Sequence, residues 1–291
     1  MKIEAKELRK VYGKEVALQS FSSKLEGDKI IGLLGKNGAG KTTFLRLLAG
    51  HFQPSKGDLT VGGEKPFNNR NVSKDICFVA EANNFKEKFR VRDVLKVASK
   101  YYPNWDHARA MELVKVFKLK ERQKVKGLSK GMSSALGIII GLASRAPITI
   151  FDEPYIGLDA SFRSTFYDLL LEEYELHPRT FILSTHLIDE VSKLFEEVVI
   201  IHEGELMLHE KATDLSEQHL LVSGKDEQVE SFVKDKNVIH QTNLIGQKSA
   251  IIYGGEFDEQ EAQAIGLKTE HCSIQELFVH LTKEEVTNHV S

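Results

Sequence analysis

The sequence predicts an α/β protein with a largely parallel core sheet, a helical insert and a small α+β domain at its C-terminal end. Three observations predict it. An apolar run, "KIIGLLG", stops at Gly35 and gives way to a helical pattern. Two later apolar runs, "ITIFDEP" and "TFILSTH", are separated by a helix around 162 to 175, the alternation that builds parallel sheets. Between them and the start, residues 83 to 145 change to helical periodicity.

Within residues 3 to 34, "VALQSFSSKL" and "KIIGLLG" have β character, the second reading as a fully buried strand. From Lys41, "KTTFLRLLAG" turns helical, with Phe44, Leu45 and Leu48 on one face and Gly50 at its end. Residues 57 to 63 read as a strand closing on Gly62-Gly63. In the insert, Val91, Val94, Leu95 and Ala98, then Ala110, Leu113, Val114 and Phe117, share single helical faces. The hairpin pattern "VVIIHEGELMLH" closes a first domain of residues 1–212. A second, 218–291, reads as strand, helix, strand, strand, helix, strand, a βαββαβ order, then a last helix with Ser273 and Glu276 as a capping box.

A length of 291 residues accommodates both domains. With 41% apolar and 28% charged residues the chain is globular, and a net charge of −3 argues against nucleic acid as its main partner. Cys77 and Cys272 are the only cysteines, so neither a disulfide framework nor a zinc site is indicated and a reducing compartment is expected. The opening "MKIEAKELRK" lacks the apolar core of a signal peptide, and "ALGIIIGLA" at 135 to 143 is about half the length that a bilayer requires. Any membrane span is expected in another chain.

"GKNGAGKT", Gly35 to Thr42, matches G-x-x-x-x-G-K-[ST] between a strand and a helix. Glycines admit phosphates against the backbone N–H groups, Lys41 adds a full positive charge, and Thr42 is the expected Mg²⁺ ligand. Such a loop needs a carboxylate for the metal's waters. Asp152 at a strand end supplies it, while the adjacent Glu153 is placed to polarise the water attacking a γ-phosphate. A second anion-binding pattern, "LSKGM" at 128 to 132, opens an apolar helix.

"GKNGAGKTT", "LSKGM", "ITIFDEP", "GLDA" and "LSTH", in that order, resemble the nucleotide-binding subunit of an ATP-binding cassette (ABC) transporter over residues 1 to about 210. The resemblance implies a P-loop NTPase cassette with an antiparallel N-terminal β subdomain and a helical subdomain at about 83–145. It implies ATP and Mg²⁺ as cofactors, with ATP hydrolysis driving a separate integral-membrane permease at the inner face of the cell membrane. Tyr12 would stack on adenine, Gly35, Asn37, Gly38, Gly40, Lys41, Thr42 and Thr43 would cradle the phosphates, and Thr42, Asp152 and Glu81 would serve the metal. Glu153 and His186 would be catalytic, and Asp159 would lie in the loop crossing a dimer interface. Ser129 and Gly131 would face the ATP of a second copy or a paralogous subunit, which explains a second anion loop.

Three residues depart from the family pattern. Lys130 and Met132 replace glycine and glutamine, and Glu81 stands where glutamine is usual. Lys130 either adds attraction for phosphate or faces solvent. Glu81 can still ligate Mg²⁺ or its waters, so altered coupling is expected without loss of hydrolysis. "LSKGM" together with Glu81 leans toward an exporter-like system; the alternatives are a soluble ABC-type ATPase and an ATP-dependent regulatory switch.

Overall fold

A computed structural model describes residues 1–80, 85–217, 219–244, 247–254 and 259–282. Two compact units result, one of residues 1–186 and 194–209, the other of residues 187–193 and 210–291.

In the first unit, β1 (Ile3–Tyr12) and β2 (Glu15–Leu25) form an antiparallel pair, and β3 (Ile30–Leu34) is buried at every position. After it come α1 (Lys41–Leu48), β4 (Lys56–Val61), α2 (Arg70–Ser73) and β5 (Ile76–Val79). The helical insert holds α3 (Val91–Tyr101), α4 (His107–Val116) and α5 (Lys130–Ser144), followed by β6 (Ile148–Asp152), α6 (Ala160–Leu176) and β7 (Thr180–Ser184). Beyond α7 (Ile188–Val191) come β8 (Glu197–His202) and β9 (Glu205–Lys211). Their turn, Glu203-Gly204, has both φ values positive (48° and 80°), the twist a two-residue hairpin favours.

Strands β2-β1-β4 make an antiparallel sheet and β5-β6-β7-β3-β8-β9 a larger one, in which β5, β6, β7, β3 and β8 pair parallel. Amphipathic α1 contacts β2 and β4 of the small sheet and β6 of the large one. Its Phe44, Leu45, Leu47 and Leu48 thus join both sheets in one core with Phe21, Leu59, Ile150 and Ile182. Because β3, β6 and β7 run in parallel, their C-terminal ends lie together, the edge where open α/β sheets bind ligands. The register fixes this: Leu33 and Asp152 both lie opposite Ser184.

The second unit begins with α8 (Ala212–Glu217), β10 (His219–Gly224), α9 (Asp226–Val233) and β11 (Val238–Leu244). It continues with β12 (Gln247–Tyr253), α10 (Glu259–Ala264), β13 (Lys268–Glu270) and α11 (Ile274–Leu281). Its antiparallel sheet runs β11-β12-β10-β13, the strand order of a ferredoxin-like βαββαβ unit. Val229, Phe232 and Ala262 of the two helices pack on Leu220, Val222, Ala250 and Ile252. Short α7 belongs to this unit although residues of the first unit precede and follow it in the chain. Among the described residues, no helix is long and apolar enough to cross a membrane.

Candidate functional site

A cleft of about 320 Å³ opens over the loop between β3 and α1. It is lined by Tyr12, Asn37, Gly38, Gly40, Lys41, Thr42, Thr43, Asp152 and Glu153, together with Glu15, Ala17, Lys36 and Ala39. The loop is shaped by glycine. Gly40 sits at φ 108°, and a Cβ there would meet the carbonyl oxygen of Ala17 at 2.6 Å. Lys41 is buried, and its Nζ donates to the carbonyls of Gly35 (2.6 Å) and Lys36 (3.2 Å). Burial pushes its pKa below the usual lysine value, while the carboxylates of Glu153 and Asp152 oppose that shift. The loop therefore presents a cation whose desolvation an anion would compensate.

Asp152, 2% exposed, ends β6, and its Oδ1 has no hydrogen-bond partner among the described residues. A buried carboxylate oxygen left unpaired is costly unless a cation or ordered water meets it. Together with Thr42 in the same cleft, the Asp152 oxygen would suit a hard divalent ion.

Glu153 follows at φ 52°, a left-handed conformation that costs a non-glycine residue about 1–2 kcal/mol. Its N–H donates to Ser184 O at 3.1 Å, tying the bend to β7. Glu153 Oε2 lies 2.8 Å from Nδ1 of His186, which stands just past β7. The Tyr155 hydroxyl also donates to Glu153 Oε2 and lies 2.7 Å from Thr185 Oγ1, and it accepts the N–H of His186 at 3.1 Å.

Ser129 and Gly131 do not line this cleft. They bound a separate cavity of about 170 Å³ with Phe117, Met132, Ala135, Gly157, Leu158, Asp159 and Phe162, and the two cavities share no lining residue. Ser129 caps α5, its Oγ accepting Met132 N–H at 3.2 Å, which leaves the hydroxyl proton for another acceptor. Gly131 cannot be replaced without displacement, since a Cβ would come within 2.3 Å of Gly157 O. Asp159 caps α6 through Phe162 N–H at 2.9 Å. Lys130 is exposed on the first turn of α5, and Met132 is half-buried. Tyr12 is partly exposed and meets Phe52 edge-on at a centroid distance of 5.9 Å, with Lys10 Nζ 5.1 Å from the Tyr12 ring. Glu81 lies outside the described residues.

Sequence reasoning missed Tyr155, Thr185, Phe52 and Gly157. Gly157 and Thr185 lie within the "GLDA" and "LSTH" runs; Tyr155 and Phe52 matter through contacts that no local pattern encodes.

The family model described as "ABC transporter" matches residues 18–156. The "ABC transporter ATP-binding protein NatA" of Bacillus subtilis (strain 168) is 31% identical over 199 residues, covering 66% of this chain and 80% of that protein. The "Nod factor export ATP-binding protein I" of Burkholderia thailandensis is 31% identical over 208 residues, covering 69% and 68%. Among solved structures, a dimeric ATP-binding cassette, MJ0796, in a post-hydrolysis state bound to ADP and Pi has a TM-score of 0.65 at 23% identity. That match covers 72% of this chain and 98% of the neighbour, a likeness of fold.

Proposed function

This chain belongs to the ATP-binding proteins of the ABC transporter family and is an ATPase, and from that premise we propose that it works as one half of a pair closed around two Mg-ATP, driving a separate membrane permease. The observation that carries the pairing is the separation of the two anion-binding loops into cavities with no residue in common. Ser129 and Gly131 then complete the cleft of a second protomer, a copy of this chain or a paralogous subunit, arranged head to tail.

Within one protomer, Tyr12 stacks on adenine, the N–H groups of the loop around Gly35, Asn37, Gly38 and Gly40 bind phosphate oxygens, and Lys41 neutralises their charge. Thr42 and Asp152 would hold Mg²⁺, and Glu81 is assigned to the metal from its place in the sequence alone. The ion, when bound, supplies charge neutralisation at the β- and γ-phosphates. Glu153 takes a proton from the attacking water, and His186 orients Glu153 and reaches the γ-phosphate. Across the interface, the partner's Ser129 donates its hydroxyl proton to the γ-phosphate, so closure depends on that group and relaxes after cleavage. The chain sits at the inner face of the membrane through its permease. A relative named for Nod factor export supports the exporter-like direction.

The test is Glu153→Gln. Turnover should fall by about a hundredfold or more while ATP traps the chain as a dimer on a sizing column. A variant that stays monomeric with ATP and Mg²⁺, even with its permease present, would sink the paired mechanism. Co-purification with a hydrophobic partner separates transport from a soluble role.

A further inference from the structure

Behind Glu153 stands a residue that the chemistry above does not use. Tyr155 is 4% exposed, and its hydroxyl joins Glu153 Oε2, Thr185 Oγ1 and the His186 N–H. These groups come from two places: Glu153 and Tyr155 follow β6, Thr185 and His186 follow β7. The ring of Tyr155 also meets that of His186 edge-on, at a centroid distance of 5.7 Å.

We propose that Tyr155 is a positioning residue for hydrolysis, its hydroxyl holding the Glu153 carboxylate in the orientation that receives the water's proton. The inference rests on Glu153 being the base. A phenol has one proton to give. Because the His186 amide donates to the Tyr155 oxygen and Thr185 can donate to it as well, the phenol's own proton is directed to the carboxylate. Thr185, Tyr155 and Glu153 thereby form one directed chain of hydrogen bonds. Burial, and then the charge of Glu153, push the Tyr155 pKa upward, so the phenol keeps its proton at any working pH. Among the described residues, phenol and imidazole engage Oε2, which leaves Oε1 for water in the cleft that Glu153 lines.

The left-handed backbone at Glu153 makes this support necessary. A strained residue persists where its surroundings over-determine it. The hydrogen bond that the Glu153 N–H donates to Ser184 O fixes the backbone, and the phenol fixes the side chain. A carboxylate free to rotate about its side-chain torsions would spend less time in the productive geometry, and small misplacements are expensive in rate.

The experiment uses the full chain. Tyr155→Phe keeps the ring and removes the hydroxyl, and it should lower kcat for ATP about tenfold while KM for ATP stays within about twofold. Thr185→Val removes the donor behind the phenol and should lower kcat about two- to threefold at unchanged KM. An unchanged kcat in Tyr155→Phe overturns the inference, as does a fall in kcat matched by a comparable rise in KM. Should Tyr155→Phe fail to fold, Thr185→Val decides, and an unchanged kcat there overturns it. Glu153→Gln separates this failure from failure of the base assignment: wild-type turnover in Glu153→Gln removes the base and this inference with it. Loss in Glu153→Gln without loss in Tyr155→Phe removes the positioning role alone.

Discussion

Lys130 occupies the first turn of α5, which carries no acidic residue, with its side chain in solvent. A cation there opposes the helix dipole by about 0.3–1 kcal/mol, an expense that an incoming phosphate would reverse. Lys130→Glu should therefore raise the free chain's unfolding free energy by about 0.5–1 kcal/mol. The same change should weaken ATP-dependent pairing by about tenfold, read by titrating ATP against dimer in a Glu153→Gln background. Pairing at unchanged ATP would place Lys130 in solvent only. At this scale the sequence was legible wherever chemistry is encoded by neighbours in the chain. Lys41 and Thr42 follow a strand and open a helix, so order alone locates them. Tyr155 was not legible, because its hydroxyl acquires meaning only when the β6–β7 register brings Thr185 and His186 beside it.

Among the elements, helices were read from faces that the structure does bury: Val91, Val94, Leu95 and Ala98 of α3, and Ala110, Leu113 and Val114 of α4. Strand β1 was hidden within the general β character of residues 3 to 34. Its register shifts between Ala5 and Leu8 and again before Lys10, with Glu7 at φ 47°, so the alternation that marks a strand is broken. A buried charge network joining elements was equally silent in the sequence. Glu173 of α6, 1% exposed, accepts Arg109 Nε of α4 at 2.8 Å and lies 3.4 Å from Arg179 Nη1. Arg179 Nη2 donates to Leu142 O near the end of α5 at 3.0 Å. The helical insert is thus tied to the core by one carboxylate between two guanidiniums. Glu173→Ala removes the carboxylate that faces buried Arg179 and one of the three that bind Arg109, and should cost about 3–5 kcal/mol, seen as a lower denaturant midpoint. A midpoint within experimental scatter of wild type would show that Glu112 and Glu172, which also bind Arg109, suffice without it.

Across the whole molecule, the chain leaves the first unit at His186, enters the second for residues 187–193, and returns. No composition change announces this detour, because α7 is four residues long and too short to show a period. Ile188 and Val191 are buried, α7 packs on α11, and the Asp189 N–H donates to Gln275 Oε1 at 3.4 Å. A residue assigned to catalysis is therefore followed, two residues on, by a helix that packs on α11 of the C-terminal unit. Removing residues 210–291 withdraws those partners, and each apolar side chain so exposed forfeits about 1.5–3 kcal/mol. Too short to stand alone, α7 should unravel and free the backbone that places His186. The 1–209 fragment should still bind ATP through Lys41 but turn it over about tenfold more slowly, in steady-state assays beside the full chain. Leu277→Asp, which puts a charge at a buried position of α11, should give a smaller loss in the same direction within the intact chain. Full-rate hydrolysis by both would mean that the first unit fixes His186 without help, and that the detour serves only to fasten the accessory unit to the cassette.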